Sequence, residues 1–290
     1  MYTDKNGNTW YKIGLHTHTT LSDGHKTPEE MAKIYKNAGY DAVAITDHWK
    51  YFEETEIGGL KIIPGCEYNI GGGDTSEFVM HIVGIGMESK PQLDRETATA
   101  QEIIDAINSC GGMAVLAHPA WSLNTKDQIK ALTGFSMLEI YNSVSDAHES
   151  YRPYSGYIVD ALANDGVVFP LTATDDVHYY DGTDETKAFI MVKAKDCSVK
   201  SIANAIECKD FYATQGPELY VKKDGDKIIA SCSGCSVIKF ISNAAWAKNR
   251  VIRGENLKLA EYTPVDFEKW VRVEATDKDG NTAWSNIIVL

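Results

Sequence analysis

Residues 11–30 read YKIGLHTHTTLSDGHKTPEE. They contain a short apolar run, a polar turn rich in histidine and a helix start, in that order. YKIGL has the length and composition of a buried strand. Thr27-Pro28-Glu29-Glu30 supplies a cap, a proline at the first helical position and acids in the first turn. The same unit recurs as far as about residue 213. Apolar runs follow at DAVAIT, LKIIPG, FVMHIVGIG, GMAVLAH, SMLEIY, GVVFPLT and AFIMVKA. Between them lie the amphipathic patterns TPEEMAKIYKNAG, TATAQEIIDAINSCG, YSGYIVDALANDG and SVKSIANAIEC, several of which close on glycine. Strand and helix in alternation predict an α/β fold with a parallel sheet, and this number of strands in one unit favours a barrel.

After Gly216-Pro217 the pattern changes. ELYVKKDGDKIIASCS and KWVRVEATDKDGNTAWSNIIVL each alternate around an Asp-Gly turn, the mark of a hairpin. Residues 1–213 are therefore expected to form the barrel, and residues 214–290 a small antiparallel β-sandwich domain.

The chain has 290 residues, 43% of them apolar, enough for a sizeable core. Its formal charge of −13 argues against non-specific nucleic-acid binding and against an anionic membrane surface. A nucleotide or another small anionic substrate stays admissible, because divalent cations reverse the local field. The six cysteines include one C-x-x-C, Cys232 to Cys235, with no second pair to make a zinc knuckle. Reduced thiols and a cytoplasmic location are expected, although a secreted form with a trimmed signal would read the same. No apolar run is long enough to span a bilayer.

The polar residues that follow the apolar runs carry the chemistry. His16 and His18 lie two apart, on one side of a strand. AVAIT leads into Asp47-His48, KIIPGC into Glu67, AVLA into His118-Pro119, and VVFPLTA into Thr174-Asp175-Asp176-Val177-His178. His81 lies inside FVMHIVGIG. Six of the eight histidines fall at or near strand ends, and only His25 and His148 do not. In a parallel barrel those ends gather on one face, where active sites are built. Imidazoles and carboxylates without clustered thiolates suit Zn, Mn or Fe. Eight or nine such ligands exceed the needs of one ion. Two ions about 3.5–4 Å apart can bridge a hydroxide and clamp a phosphoryl or acyl centre.

The segments HTHTTLSDG, ITDH, GCEY, HIVGIG, AHP and TDDVH, in this order, resemble the PHP family (polymerase and histidinol phosphatase). The resemblance covers residues 10 to about 213. The tail WVRVEATDKDGNTAWSN is similar to the small β domain of the family's carbaryl-hydrolase-like branch. The resemblance implies a distorted seven-stranded β/α (TIM-like) barrel holding two or three divalent metal ions. His16, His18, Glu67 and Asp176 would hold the first. Glu67 would bridge to a second, completed by His81 and His118. Asp23, His48 and His178 would hold the third. Many members carry histidine where Asp23 stands, and a carboxylate there implies Mn or Fe over Zn, or lower occupancy. Asp176 is preferred to Asp175 because the Asp-x-His spacing puts it on the side of His178. Asp175 is expected to orient an imidazole, and Asp47 to orient His48 or cap the next turn.

The expected function is metal-dependent hydrolysis by a metal-bridged hydroxide, foremost as a phosphoesterase on a small phosphorylated substrate. Glu67 and the first two ions would acidify the water, and Asp23, Asp175 or His178 would protonate the leaving oxygen. Asn142, after LEIY, and Arg152 are candidates for substrate contact. Lys50 and Trp121 are ranked below them, as surface or packing residues. An ester, carbamate or amide hydrolase would use the same site without the cationic clamp that phosphate monoesters usually need. An amidohydrolase-type barrel ranks lower, since Glu67 stands where that fold needs a lysine. A non-catalytic binding module ranks lowest, because unpaired buried charges are costly to retain.

Overall fold

The structure is a computed structural model that describes residues 1–4, 7–71 and 78–290. Local sequence signals set its helices. Pro28–Asn37 begins with a reciprocal cap in which Glu30 N–H donates to the Thr27 hydroxyl and Thr27 N–H to the Glu30 carboxylate. Thr99 with Glu102 caps Ala100–Ser109 in the same way, and Ser198 caps Val199–Glu207. Gly156–Asn164 completes the four expected helices. A short helix at Lys126–Lys130 was not legible in the sequence.

The described strands fall into a five-stranded and a thirteen-stranded sheet. The first runs in the order Leu171–Thr174, Phe135–Asn142, Met113–Leu116, Val79–Ile85, Gly65–Gly71. The second contains Thr9–Gly14, Ala42–Ala44 and Leu60–Ile63, which are paired in parallel. The chain passes from one sheet to the other at Pro64-Gly65. Only glycine fits there, since a Cβ on Gly65 would stand 2.7 Å from the Ile45 carbonyl oxygen.

Two expectations are corrected. The sheets are mixed, because Val79–Ile85 runs antiparallel to both of its neighbours. The chain between Gly71 and Val79 is too short for the crossover that a parallel pair needs. Nor do the strands close into a barrel by regular pairing. The two sheets meet instead through isolated bridges, Thr17 to Val177, His48 to Glu67 and Phe52 to Gly65, with His18 N–H donating to the Val177 carbonyl at 3.1 Å and Glu67 N–H to the Thr46 carbonyl at 3.0 Å. Expected ligands flank both seams.

The C-terminal strands are joined to the preceding ones by backbone pairing. Phe211–Thr214 pairs with Thr282–Trp284, so they continue the thirteen-stranded sheet. Lys227–Ser242 is long and irregular between Ser231 and Cys235, and it pairs with three other strands. The core is shared across residue 213 as well: Trp284 stacks on Tyr141 with centroids 5.3 Å apart.

A buried ion network locks this junction. Arg272, 2% exposed, reaches Asp160 on helix Gly156–Asn164 through Nε (2.6 Å) and Nη2 (3.0 Å). Its Nη1 donates to Glu274 at 2.5 Å and its Nη2 to the Tyr154 hydroxyl at 3.0 Å. Breaking a buried pair leaves an uncompensated charge. Arg272→Ala is therefore expected to lose about 3–5 kcal/mol in urea unfolding; a loss below 1 kcal/mol would show that water replaces the guanidinium.

Candidate metal centre

The seams bring Asp23, His48, Glu67, His81, His118, Asp176 and His178 to the lining of one cavity of about 270 Å³, with His16 and His18 buried against Glu67 and Asp176. At its base, His16 Nε2 lies 3.2 Å from Glu67 Oε2 and 3.1 Å from Asp176 Oδ1. His18 Nε2 lies 3.0 Å from each of the same two oxygens and 3.2 Å from His16 Nε2. Four donors about 2.0–2.1 Å from one tetrahedral ion would stand about 3.3–3.4 Å apart. All four residues are buried, and Asp176 Oδ1 has no hydrogen-bond partner. A buried carboxylate oxygen without a donor is costly. This donor set therefore fits a divalent cation.

A second group stands on the other side of Glu67. His81 Nδ1 is 2.9 Å from Glu67 Oε1, and His48 Nδ1 is 3.1 Å from Oε2. His48 Nδ1 is also buried without a hydrogen-bond partner. His118 Nε2 faces Glu67 Oε1 at 3.5 Å and Asp176 Oδ2 at 3.6 Å. An outer group surrounds Asp23, with His18 Nδ1 at 3.5 Å, His178 Nε2 at 3.6 Å and His48 Nε2 at 3.7 Å. His48 thus turns one nitrogen to each group, although a neutral imidazole has a single lone pair to give. His18 does the same.

The supporting contacts fix which nitrogen is free. His16 Nδ1 donates to Glu139 Oε1 at 2.8 Å, leaving Nε2 as the ligand atom. His178 Nδ1 donates to the Asp176 carbonyl at 2.6 Å, leaving Nε2 toward Asp23. His118 Nδ1 meets Ser122 Oγ at 3.1 Å. Asp176 and His118 take positive φ values of 52° and 27°, backbone strain of a kind that clusters at functional sites.

Electrostatics follow the same pattern. Burial opposes ionisation of Glu67 and Asp176, but the facing imidazoles outweigh it and hold both carboxyls well below their usual range. Burial likewise opposes charge on His16 and His18, and the carboxylates overcome it, raising both. Burial pushes His48 down to about 4. The cluster therefore calls for positive charge while keeping His48 neutral.

Several expectations need correction. Asp175 does not face the cavity donors. Its oxygens accept from Tyr35 Oη (2.7 Å), Thr186 N–H (2.7 Å), Lys187 N–H (2.8 Å) and Ala188 N–H (2.7 Å), which ties down a loop. That removes its catalytic and imidazole-orienting roles. Asn142 is fully buried. It donates to Glu139 (3.0 Å) and Asp176 (3.1 Å) and accepts from Ser145, so it positions a ligand rather than touching substrate. Arg152 is exposed and does not line the cavity. Asp47 accepts from Thr19 and Ser22, so it braces the turn that carries Asp23 rather than orienting His48. Trp121 lines the cavity, its ring 4.9 Å from His118 and 5.5 Å from His81. His25 lines it too, edge-on to Tyr179. Glu139 was missed, although an acid inside the apolar run SMLEIY was a signal.

Residues 14–151, just under half of the chain, match the family model of the PHP domain. A search of curated proteins found no match. Among solved structures, a two-domain protein from Bacteroides vulgatus ATCC 8482 containing a predicted PHP-like metal-dependent phosphoesterase is similar, at 14% identity and a TM-score of 0.55. The match covers 100% of this chain and 97% of that one, so the two share a fold end to end. An amidohydrolase from Chromobacterium violaceum with bound sulfate aligns at 16% identity and a TM-score of 0.44, over 59% of this chain and 89% of that one. The lesion-specific endonuclease Q from Pyrococcus furiosus aligns at 19% identity and a TM-score of 0.48, over 69% and 56% respectively.

Two substitutions test the supports. Glu139→Ala should weaken metal binding by about 10–100-fold in a chelator competition, with Glu139→Gln in between; unchanged affinity would show that His16 needs no orienting acceptor. A Cβ on Gly24 would stand 2.4 Å from the His18 carbonyl oxygen. Gly24→Ala should therefore displace Asp23 and lower the number of ions bound per chain while the His16 group keeps its own.

Proposed function

We propose that the chain is a metal-dependent hydrolase of the PHP type, acting foremost on phosphate esters of small molecules. The four buried donors His16 Nε2, His18 Nε2, Glu67 Oε2 and Asp176 Oδ1 carry this reading, above all the unpartnered Asp176 oxygen. Two or three divalent ions, drawn from zinc, manganese and iron, would supply the Lewis acidity that acidifies water and neutralises charge on a transferring group. Glu67 presents Oε2 to the inner histidines and Oε1 to His81 and His118, so it is the shared carboxylate. Trp121 walls the cavity beside His81 and His118. Asp23 and His178 Nε2 stand where a proton can pass to or from a leaving oxygen. The cavity volume suits a small molecule or one protruding group of a larger one.

In this reading residues 1–213 form the catalytic unit, in a distorted relative of the β/α barrel, and residues 214–290 an accessory β region. The six free cysteines suit a cytoplasmic setting. A second reading keeps the site and changes the bond. The cavity lining includes no lysine or arginine among the described residues, which favours an ester, carbamate or amide over a multiply charged phosphate. The similarity of the tail to the carbaryl-hydrolase-like branch points the same way.

Elemental analysis and a substrate panel test both readings. Metal-loaded protein should turn over 4-nitrophenyl phosphate, lose the activity to a chelator and regain it with added Mn or Zn. Glu67→Gln and His118→Ala should each cost about 100-fold or more. Inert phosphate esters beside cleaved aryl carbamates or esters would establish the second reading. A metal-free protein with no turnover would end both.

A further inference from the structure

A second pocket lies behind the metal centre. The strand Gly65–Gly71 separates the two, because successive side chains point to opposite faces. Glu67 lines the metal cavity, while Cys66 and Tyr68 line the rear pocket. The turn after His48 divides in the same way, with His48 in front and Trp49 and Lys50 behind. The rear pocket has a volume of about 270 Å³.

Its charge is unlike that of the rest of the molecule. The chain carries 41 acidic and 28 basic side chains, yet this lining holds Lys50, Lys90 and Arg95 and no carboxylate. Among the described residues, none of the three forms an ion pair. The floor is fixed. Trp49 donates its indole N–H to Asn69 Oδ1 at 2.8 Å and its backbone N–H to the Glu67 carbonyl at 2.8 Å. The Arg95 guanidinium sits 5.9 Å from the centre of the Trp49 ring. Lys50, Lys90 and Arg95 are exposed at the pocket and line it together beside the Trp49 ring, a set of donors that suits a tetrahedral oxyanion through charge-assisted hydrogen bonds.

We propose that Lys50, Lys90 and Arg95 form a phosphate-binding pocket, back to back with the metal centre and separate from it. Its ligand is a phosphate group, either free or on a small organic molecule. The proposal does not depend on the hydrolase reading, because it rests on a different cavity and on three side chains that belong to none of the metal-donor groups.

Isothermal titration of metal-loaded protein tests it, with inorganic phosphate in one arm and methylphosphonate, which cannot be hydrolysed, in the other. Wild type should show a phosphate site that the double variant Lys90→Ala/Arg95→Ala weakens at least tenfold. Metal content and any turnover should stay at the wild-type level in the variant, since neither residue belongs to the metal centre. Loss of both ligands in the variant identifies a site for phosphate groups in general, and loss of inorganic phosphate alone a site for the free ion. A variant that binds both anions with wild-type affinity and stoichiometry overturns the proposal.

Discussion

The structure is organised around two buried carboxylates. Glu67 and Asp176 lie at the base of a cavity among imidazoles, and isolated charges in such a place would be prohibitively costly. Their neighbours are arranged to meet that cost. His16 and His18 approach from one strand end, His81 and His118 from the neighbouring sheet, and His48 from the turn before Trp49. Behind this ring a second layer keeps each group in place. Glu139 holds His16 and the His118 backbone, and Asn142 ties Glu139 to Asp176. What remains unpaired is one oxygen of Asp176 and one nitrogen of His48. Both point where a cation would satisfy them.

The position of the centre follows from how the two sheets meet. Among the described residues, isolated bridges cross at Thr17–Val177, His48–Glu67 and Phe52–Gly65. The left-handed backbone at Asp176 and His118 turns those side chains inward at strand ends where an extended chain would carry them past.

Much of this was written in the sequence, because its signals are local. Thr27-Pro28-Glu29-Glu30 announces a helix, and the six histidines near strand ends gather around Glu67 and Asp176 because strand ends do. Signals that depend on three dimensions were less legible. Asp175 and Asp176 are adjacent and chemically identical, and only the left-handed turn at Asp176 sends one to the imidazoles and the other to a loop. Asn142 resembled a substrate contact because it ends a strand, but its neighbours Glu139 and Ser145 consume its hydrogen bonds. Val79–Ile85 was read as one more parallel strand although the connection before it is too short to cross over. The sequence pattern changes after Gly216-Pro217, yet hydrogen bonding does not, since the pairing of Phe211–Thr214 with Thr282–Trp284 lies between residues far apart in the chain.

That last pairing bears on how the protein can evolve. A strand shared between two regions is a structural debt that each owes the other. Without residues 214–290, Phe211–Thr214 would present a bare sheet edge, an invitation to intermolecular pairing. Asp160 would lose the guanidinium that meets it from Arg272. The two regions therefore cannot be shuffled like beads on a string. A lineage that discards the accessory region must first rebuild the edge it covers, and one that keeps it inherits both regions as a single unit of selection.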